Sequence, residues 1–173
     1  MVTRATNRLT DRFFENIPAG KVEWIGVRPE RKQPMHILTI ATAVEGKGLQ
    51  GDRRMQGNPQ SARQVTLIQA EHLPVIATLL KKEAIDPAIL RRNIVVSGIN
   101  LSALRHRQFK IGSAIFEGAS SCPPCSRMEQ ALGAGGFAAM LGHGGLCAKV
   151  VSGGDVSIGC SVAIHLPQRT LAL

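Results

Sequence analysis

The segment Ala114–Gln130, A-I-F-E-G-A-S-S-C-P-P-C-S-R-M-E-Q, brings a strand, two cysteines and the start of a helix together. Ser126 and Glu129 have the S-x-x-E spacing of a capping box, and Met128, Ala131 and Leu132 supply the apolar side of the helix that follows. Cys125 is thereby set beside a helix N-terminus, where unpaired N–H groups and the positive end of the helix dipole favour an anion. A thiol so placed is expected to ionise more readily than a free cysteine, and the thiolate is the form that attacks an electrophile or binds a soft metal. The competing reading leaves Cys122 and Cys125 as small residues filling a turn.

Immediately upstream, Phe109–Phe116 alternates apolar with small or polar residues and leads into this segment as a strand. Val22–Val27, Met35–Val44, Arg63–Ile68 and Ile94–Val96 are further strand candidates, rich in β-branched residues. The first two are expected to pair across the polar stretch Pro29–Pro34. Glu45–Asn58 has four glycines and no core pattern, which predicts a long loop carrying Arg53 and Arg54. Ala70–Glu83 places Leu73, Ile76, Ala77 and Leu80 near helical spacing, with Pro74 in the first turn. Downstream, Gly133–Gly145 predicts one short helix between glycine joints, and the last strands flank a turn at Gly153-Gly154-Asp155. Residues 1–19 read as a loosely ordered leader and residues 20–173 as a single domain. Six or seven short strands against one good helix and two small ones predict a mainly β domain, barrel-like or sandwich-like, with peripheral α-helices.

A chain of 173 residues is long enough to bury a core without disulfides. The basic start contains Asp11 and Glu15 and no apolar run follows, so a secretory signal is not expected. No stretch approaches the roughly 18 apolar residues that cross a bilayer, and a cytoplasmic protein without membrane association is expected. Twenty-one Lys and Arg against twelve Asp and Glu give a formal charge of +9, favouring an acidic partner. With no tyrosine and a single tryptophan, a base-stacking surface is hard to build. A smaller phosphate-bearing ligand is therefore expected in place of nucleic acid; the plain alternative is a solvated basic surface.

Three chemistries compete for the cysteines. A dithiol redox pair at Cys122 and Cys125 lacks the βαβ setting that normally accompanies C-x-x-C redox motifs. A structural zinc site from Cys122, Cys125, His143 and Cys147 approaches known ligand spacings, although Cys147 falls in a predicted strand. In the third, Cys125 alone acts as a nucleophile or soft-metal ligand, with Arg side chains holding an anionic cofactor nearby. Arg53, Arg54 and Arg63 are candidates for phosphate contact or ordinary surface cations. The residues by themselves leave these readings open.

Gly51-Asp52-Arg53, Arg63–Ile68, Arg91-Arg92-Asn93-Ile94 through Ser97-Gly98, Ile111-Gly112 and Cys122-Pro123-Pro124-Cys125 occur in one order along the chain. This ordered set resembles the MOSC domain, the molybdenum cofactor sulfurase C-terminal module, over about residues 20–166. The resemblance implies a MOSC-like β-barrel whose defining cysteine, aligned with Cys125, carries sulfur or ligates molybdenum. In the related mitochondrial amidoxime-reducing component, an R-x-N motif resembling Arg91 and Asn93 holds the anionic pterin of the molybdenum cofactor, molybdopterin. The family's reductases convert N-hydroxylated compounds to amines, and the resemblance implies a separate electron-donor or sulfur-donor protein as partner. A persulfide carrier at Cys125 is the alternative. Pyridoxal phosphate is not expected, because no Lys stands in a Schiff-base context.

Overall fold

The computed structural model describes residues 12–166. Eleven strands are present among them: β1 (Gly20–Val27), β2 (His36–Leu38), β3 (Ile40–Val44), β4 (Gly48–Leu49), β5 (Val65–Gln69), β6 (Ile94–Ser97), β7 (Gln108–Ile111), β8 (Ala114–Ser121), β9 (Leu146–Ser152), β10 (Gly154–Ser157) and β11 (Ser161–Ile164). Four helices accompany them, α1 (His72–Leu79), α2 (Pro87–Leu90), α3 (Ser126–Leu132) and α4 (Gly136–Ala139), with 3-10 turns at Arg53–Gln56 and Leu101–Leu104.

Strands β11, β7, β8, β9, β5, β6 and β1 hydrogen-bond in that order, and β1 pairs back to β11 through Gly20↔Val162 and Lys21↔Ser161. The sheet is thus a closed seven-stranded barrel, which removes the unpaired edges an open sheet would present. β5 and β6 run parallel, and α1 and α2 occupy the crossover that such a pair requires. The mainly β, MOSC-like barrel expected from the sequence is the fold observed.

Alternation along the strands fills the barrel. Inward positions Val22, Ile25, Val65, Leu67, Ile94, Val96, Phe109, Ile111, Phe116 and Val162 have no exposed surface. Phe109 and Phe116 face each other across β7 and β8, their rings stacked with centroids 5.7 Å apart. A second core lies outside the barrel, where Ile68 and Val95 meet Ile76, Leu90, Met128, Leu132 and Met140. Each such fully buried aliphatic side chain contributes about 1.5–3 kcal/mol. A register shift in β1 between Val22 and Trp24 lets Val22 and Ile25 both point inward while Trp24 packs on the outer core.

Several local expectations are corrected. Met35–Val44 is two strands in two sheets: β2 pairs with β1, whereas β3 joins β10 and β4 in a separate three-stranded sheet. The glycine-rich loop 45–58 contains β4 and a 3-10 turn, and the helix expected over 70–83 is confined to His72–Leu79. β10 does not fold back on β9; it pairs with β3. Residues 1–11 of the expected leader lie outside the described residues. Within residues 12–19, Ile17 packs against the barrel core, and the Arg107 guanidinium sits 3.8 Å above the Phe14 ring.

Candidate functional site

The site is built on a buried polar knot where β1, the Arg53–Gln56 turn and β6 meet. Arg28 follows β1 and is 6% exposed; its Nε donates to Asp52 Oδ2 at 2.9 Å and its Nη2 to Asp52 Oδ1 at 3.2 Å. Asp52 also caps the 3-10 turn by accepting from the Arg54 N–H at 2.9 Å. Asn93 has no exposed surface and uses both ends of its amide. Oδ1 accepts from Arg28 Nη2 at 2.8 Å and from Thr66, while Nδ2 donates to Asp52 Oδ2 at 2.8 Å and to the Gly26 carbonyl at 3.0 Å. Burial alone would raise the Asp52 carboxyl, but the hydrogen bonds and charge of Arg28, with the Arg54 N–H, hold it below the ordinary carboxylate range.

Around this knot the arginines repel one another. Arg53 is lowered from the usual guanidinium range by burial and then by Arg28 and Arg127; Arg54 by burial, Arg28, Arg53 and Arg63; Arg91 by burial, Arg28 and Arg127. Asp52 offsets part of that charge, and its carboxylate is already taken by Arg28. The Nε atoms of Arg53 and Arg54 are buried and have no hydrogen-bond partner. Buried donors without acceptors are costly and mark a place where an anion would be stabilised.

Cys125 is exposed, at the N-cap of α3. The expected capping box does not form: Cys125 occupies the cap without a side-chain bond, and its carbonyl accepts from the Met128 N–H at 2.8 Å. Glu129 instead reaches forward to the start of α4, accepting from the Gly135 and Phe137 N–H groups at 2.8 Å each. Those two bonds hold its carboxyl below the usual range.

The other cysteines separate into a pair and a bystander. Cys122 and Cys147 are 3% and 1% exposed and act on each other's ionisation, and Arg63 Nε donates to Cys147 Sγ at 3.4 Å. The Cys122 thiol, with Arg63 and Ser120 acting against burial, lowers Cys147 to about 6, while the same interaction and burial raise Cys122. Arg92 is 7% exposed and donates to the Gly144 carbonyl at 2.8 Å and the Leu90 carbonyl at 3.0 Å; its Nη2 is buried without a partner. Cys160 is half-buried beside the barrel core. His143 packs edge-on against His72, ring centroids 4.9 Å apart. Among the described residues no three His, Cys, Asp or Glu side chains form a group that could hold a metal ion, so Cys122, Cys125, His143 and Cys147 do not close into the zinc site that their spacing suggested.

Of the residues singled out from the sequence, Arg53 and Arg63 lie in the arginine group, and Arg63 and Arg92 are both within electrostatic reach of Cys125. Arg91 is at its edge, in left-handed backbone at φ 55°, its guanidinium donating to the Gln33 carbonyl at 2.6 Å. Asn93 lies underneath, spent on Arg28 and Asp52. Sequence reasoning missed Arg28, whose flanks carry no motif, Arg127, which lies within the S-x-x-E spacing of Ser126 and Glu129, and the pairing of Cys122 with Cys147. The last depends on strand register: Ser120 faces Cys147 across β8 and β9, and Cys122 is two residues further on.

The fold and this site define a small closed β-barrel domain with an exposed cysteine at the start of a short helix and a group of arginines around a buried Arg–Asp–Asn knot. The MOSC domain family matches residues 51–163, and the chain belongs to that family. No curated protein matches it by sequence. Among solved structures, the YuaD protein from Bacillus subtilis superimposes with a TM-score of 0.73 at 20% identity, covering 87% of this chain and 98% of that one. YiiM from Escherichia coli gives 0.63 at 16% identity over 85% and 70% of the two chains, and YiiM from Geobacillus stearothermophilus 0.68 at 13% over 89% and 78%. At these identities the likeness is one of fold.

Proposed function

We propose that this MOSC domain binds the molybdenum cofactor, with Cys125 as the ligand to the metal and the arginine group on the anionic pterin. The observation that carries the reading is the pair of buried, unpartnered Nε atoms at Arg53 and Arg54 within a group of like charges. A phosphate-bearing pterin supplies the acceptors those donors lack, and Cys125 offers an exposed soft ligand near Arg63, which in turn acts on Arg54. Arg63 would join Arg53 and Arg54 on the cofactor, Arg91 would flank it, and Asn93 would act indirectly by fixing Arg28 and Asp52. When bound, the cofactor would supply two-electron chemistry of the kind that reduces N-hydroxylated compounds, with electrons from a separate donor protein. The chain's own part is to hold the anion, keep the arginines charged and present the Cys125 sulfur. No helix among the described residues is long and apolar enough to cross a membrane, and we place the reaction in the cytoplasm.

Metal analysis of protein made in a cofactor-competent host tests this. Molybdenum should co-purify with the wild type, be lost from Cys125→Ala, and fall in Arg53→Ala combined with Arg54→Ala; equal retention in Cys125→Ala defeats the ligand assignment. The exposure of Cys125 also suits a persulfide carrier. That reading predicts a mass gain of about 32 Da at Cys125, removed by reductant.

A further inference from the structure

Beneath the Cys125 loop lies chemistry that the cofactor reading leaves unused. Cys122 directly follows β8 and Cys147 lies in the next barrel strand, β9, with the Cys122 N–H on the Gly145 carbonyl at 2.8 Å and Cys147 opposite Ser120. The register sets both side chains on one face of the β8–β9 ladder, as diagonal neighbours. Two guanidiniums stand over them. Arg63 donates directly to Cys147 Sγ at 3.4 Å. Arg92 is more than nine-tenths buried, its bonds go to two carbonyls, and its Nη2 is unpartnered, so a negative charge is called for at this spot. The nearest groups able to carry one are these sulfurs, whose charge acts on Arg92. A pocket of about 380 Å³, bounded by Cys122, Leu146, His72 and Gly144, reaches the Cys122 end of the pair.

We propose that Cys122 and Cys147 are a redox-active dithiol that closes to a disulfide under peroxide and, in closing, frees Arg63 for the neighbouring anion site. The Cys147 thiolate attacks hydrogen peroxide and, with one proton taken up, gives a sulfenic acid and water. The Cys122 thiol then displaces the second water and forms the S–S bond. Two thiols are oxidised by two electrons, one peroxide is reduced to two waters, and a disulfide reductant reverses the change. In the reduced form Arg63 is occupied by a sulfur carrying negative charge; the disulfide removes that charge and returns the Nε donor. The disulfide stands on the strand register and burial of the two cysteines, and its effect on Arg63 rests on the anion-binding role proposed above.

The test uses the full chain, reduced and then exposed to hydrogen peroxide, alkylated and mapped by mass spectrometry. A loss of about 2 Da, a peptide joining Cys122 to Cys147, reversal by dithiothreitol, and the same link in Cys125→Ser are expected. A Cys122–Cys125 link, full alkylation of all thiols after peroxide, or over-oxidised Cys147 without a link overturns the dithiol. Should Cys147→Ser not fold, the wild-type map still decides. For Arg63, inorganic phosphate binding is measured by calorimetry in both redox forms. It should tighten about tenfold on oxidation, the worth of one charge-assisted hydrogen bond. Equal binding in both forms overturns the coupling, and no phosphate binding in either overturns the anion site while leaving the disulfide map intact.

Discussion

Replacing Asp52 by alanine tests the knot on which the site is built. The Asp52 side chain has no exposed surface and Arg28's is 7% exposed, so the carboxylate is the buried counter-charge of a buried guanidinium. The change removes acceptors for the Arg28 N–H and Nε at 2.9 Å, Arg28 Nη2 at 3.2 Å, the Arg54 N–H at 2.9 Å and Asn93 Nδ2 at 2.8 Å. Breaking a buried pair from one side costs about 3–5 kcal/mol because a charge is left stranded. That is a large part of the roughly 5–15 kcal/mol that holds a domain together. At about 2–4 °C per kcal/mol for a chain of this size, the melting temperature should fall by about 6–20 °C. Urea and thermal melts at neutral pH read the change, and a loss under about 1 kcal/mol, as for an exposed ion pair, would refute the argument. Arg28→Met with Asp52→Leu should lose less than the two single changes added together, since no charge is then stranded. The acid dependence follows from the lowered Asp52 carboxyl. With the folded value below the unfolded one of about 3.9, its stabilisation is full above that pH and is lost as pH falls through the folded value; Asp52→Asn should lack this component.

Four further outcomes are expected. Glu129→Ala should leave the barrel intact but strip hydrogen-exchange protection from the Gly135 and Phe137 amides, which its carboxylate caps; unchanged protection would count against that contact. Gly145→Ala should cost at least about 2 kcal/mol, because the backbone is at φ 91° and a Cβ would lie 1.8 Å from the Leu67 carbonyl. Gly142→Ala, at φ 77° with open space around it, should cost about 1 kcal/mol by the same denaturant assay. Ultraviolet titration should show a thiolate appearing near pH 6, absent in Cys147→Ser and moved upward in Arg63→Met. Because this folded value lies below the unfolded thiol's of about 8.5, the stability it contributes is full above that pH and is lost as pH falls through about 6.

Sequence determined the parts of this protein that rest on local alternation. Val22–Val27, Arg63–Ile68 and Ile94–Val96 each contain a strand, because burying one face of a pleated chain requires the period-two pattern that is visible in the residues, whereas Phe109–Phe116, expected as one strand, turns at Gly112 and Ser113 between β7 and β8. The ordered motifs likewise marked Arg53, Arg63, Asn93 and Cys125, and the barrel class followed. Tertiary structure decided where equally good local patterns were put to use. Met35–Val44 is one apolar run, yet it divides at Thr39 because β2 finds β1 while β3 finds β10, and only strand pairing can choose between partners. The S-x-x-E spacing at Ser126 is a sound helix start, but Glu129 serves the N–H groups of Gly135 and Phe137 once α4 packs beside α3. Asn93 was legible as important, and only the fold shows it satisfied beneath Arg28 and Asp52. Cys147 is placed by its sequence in a strand and nothing more. Its meeting with Cys122 and Arg63 depends on the register of β9 against both β8 and β5, a long-range fact that neither cysteine's neighbours in the chain encode.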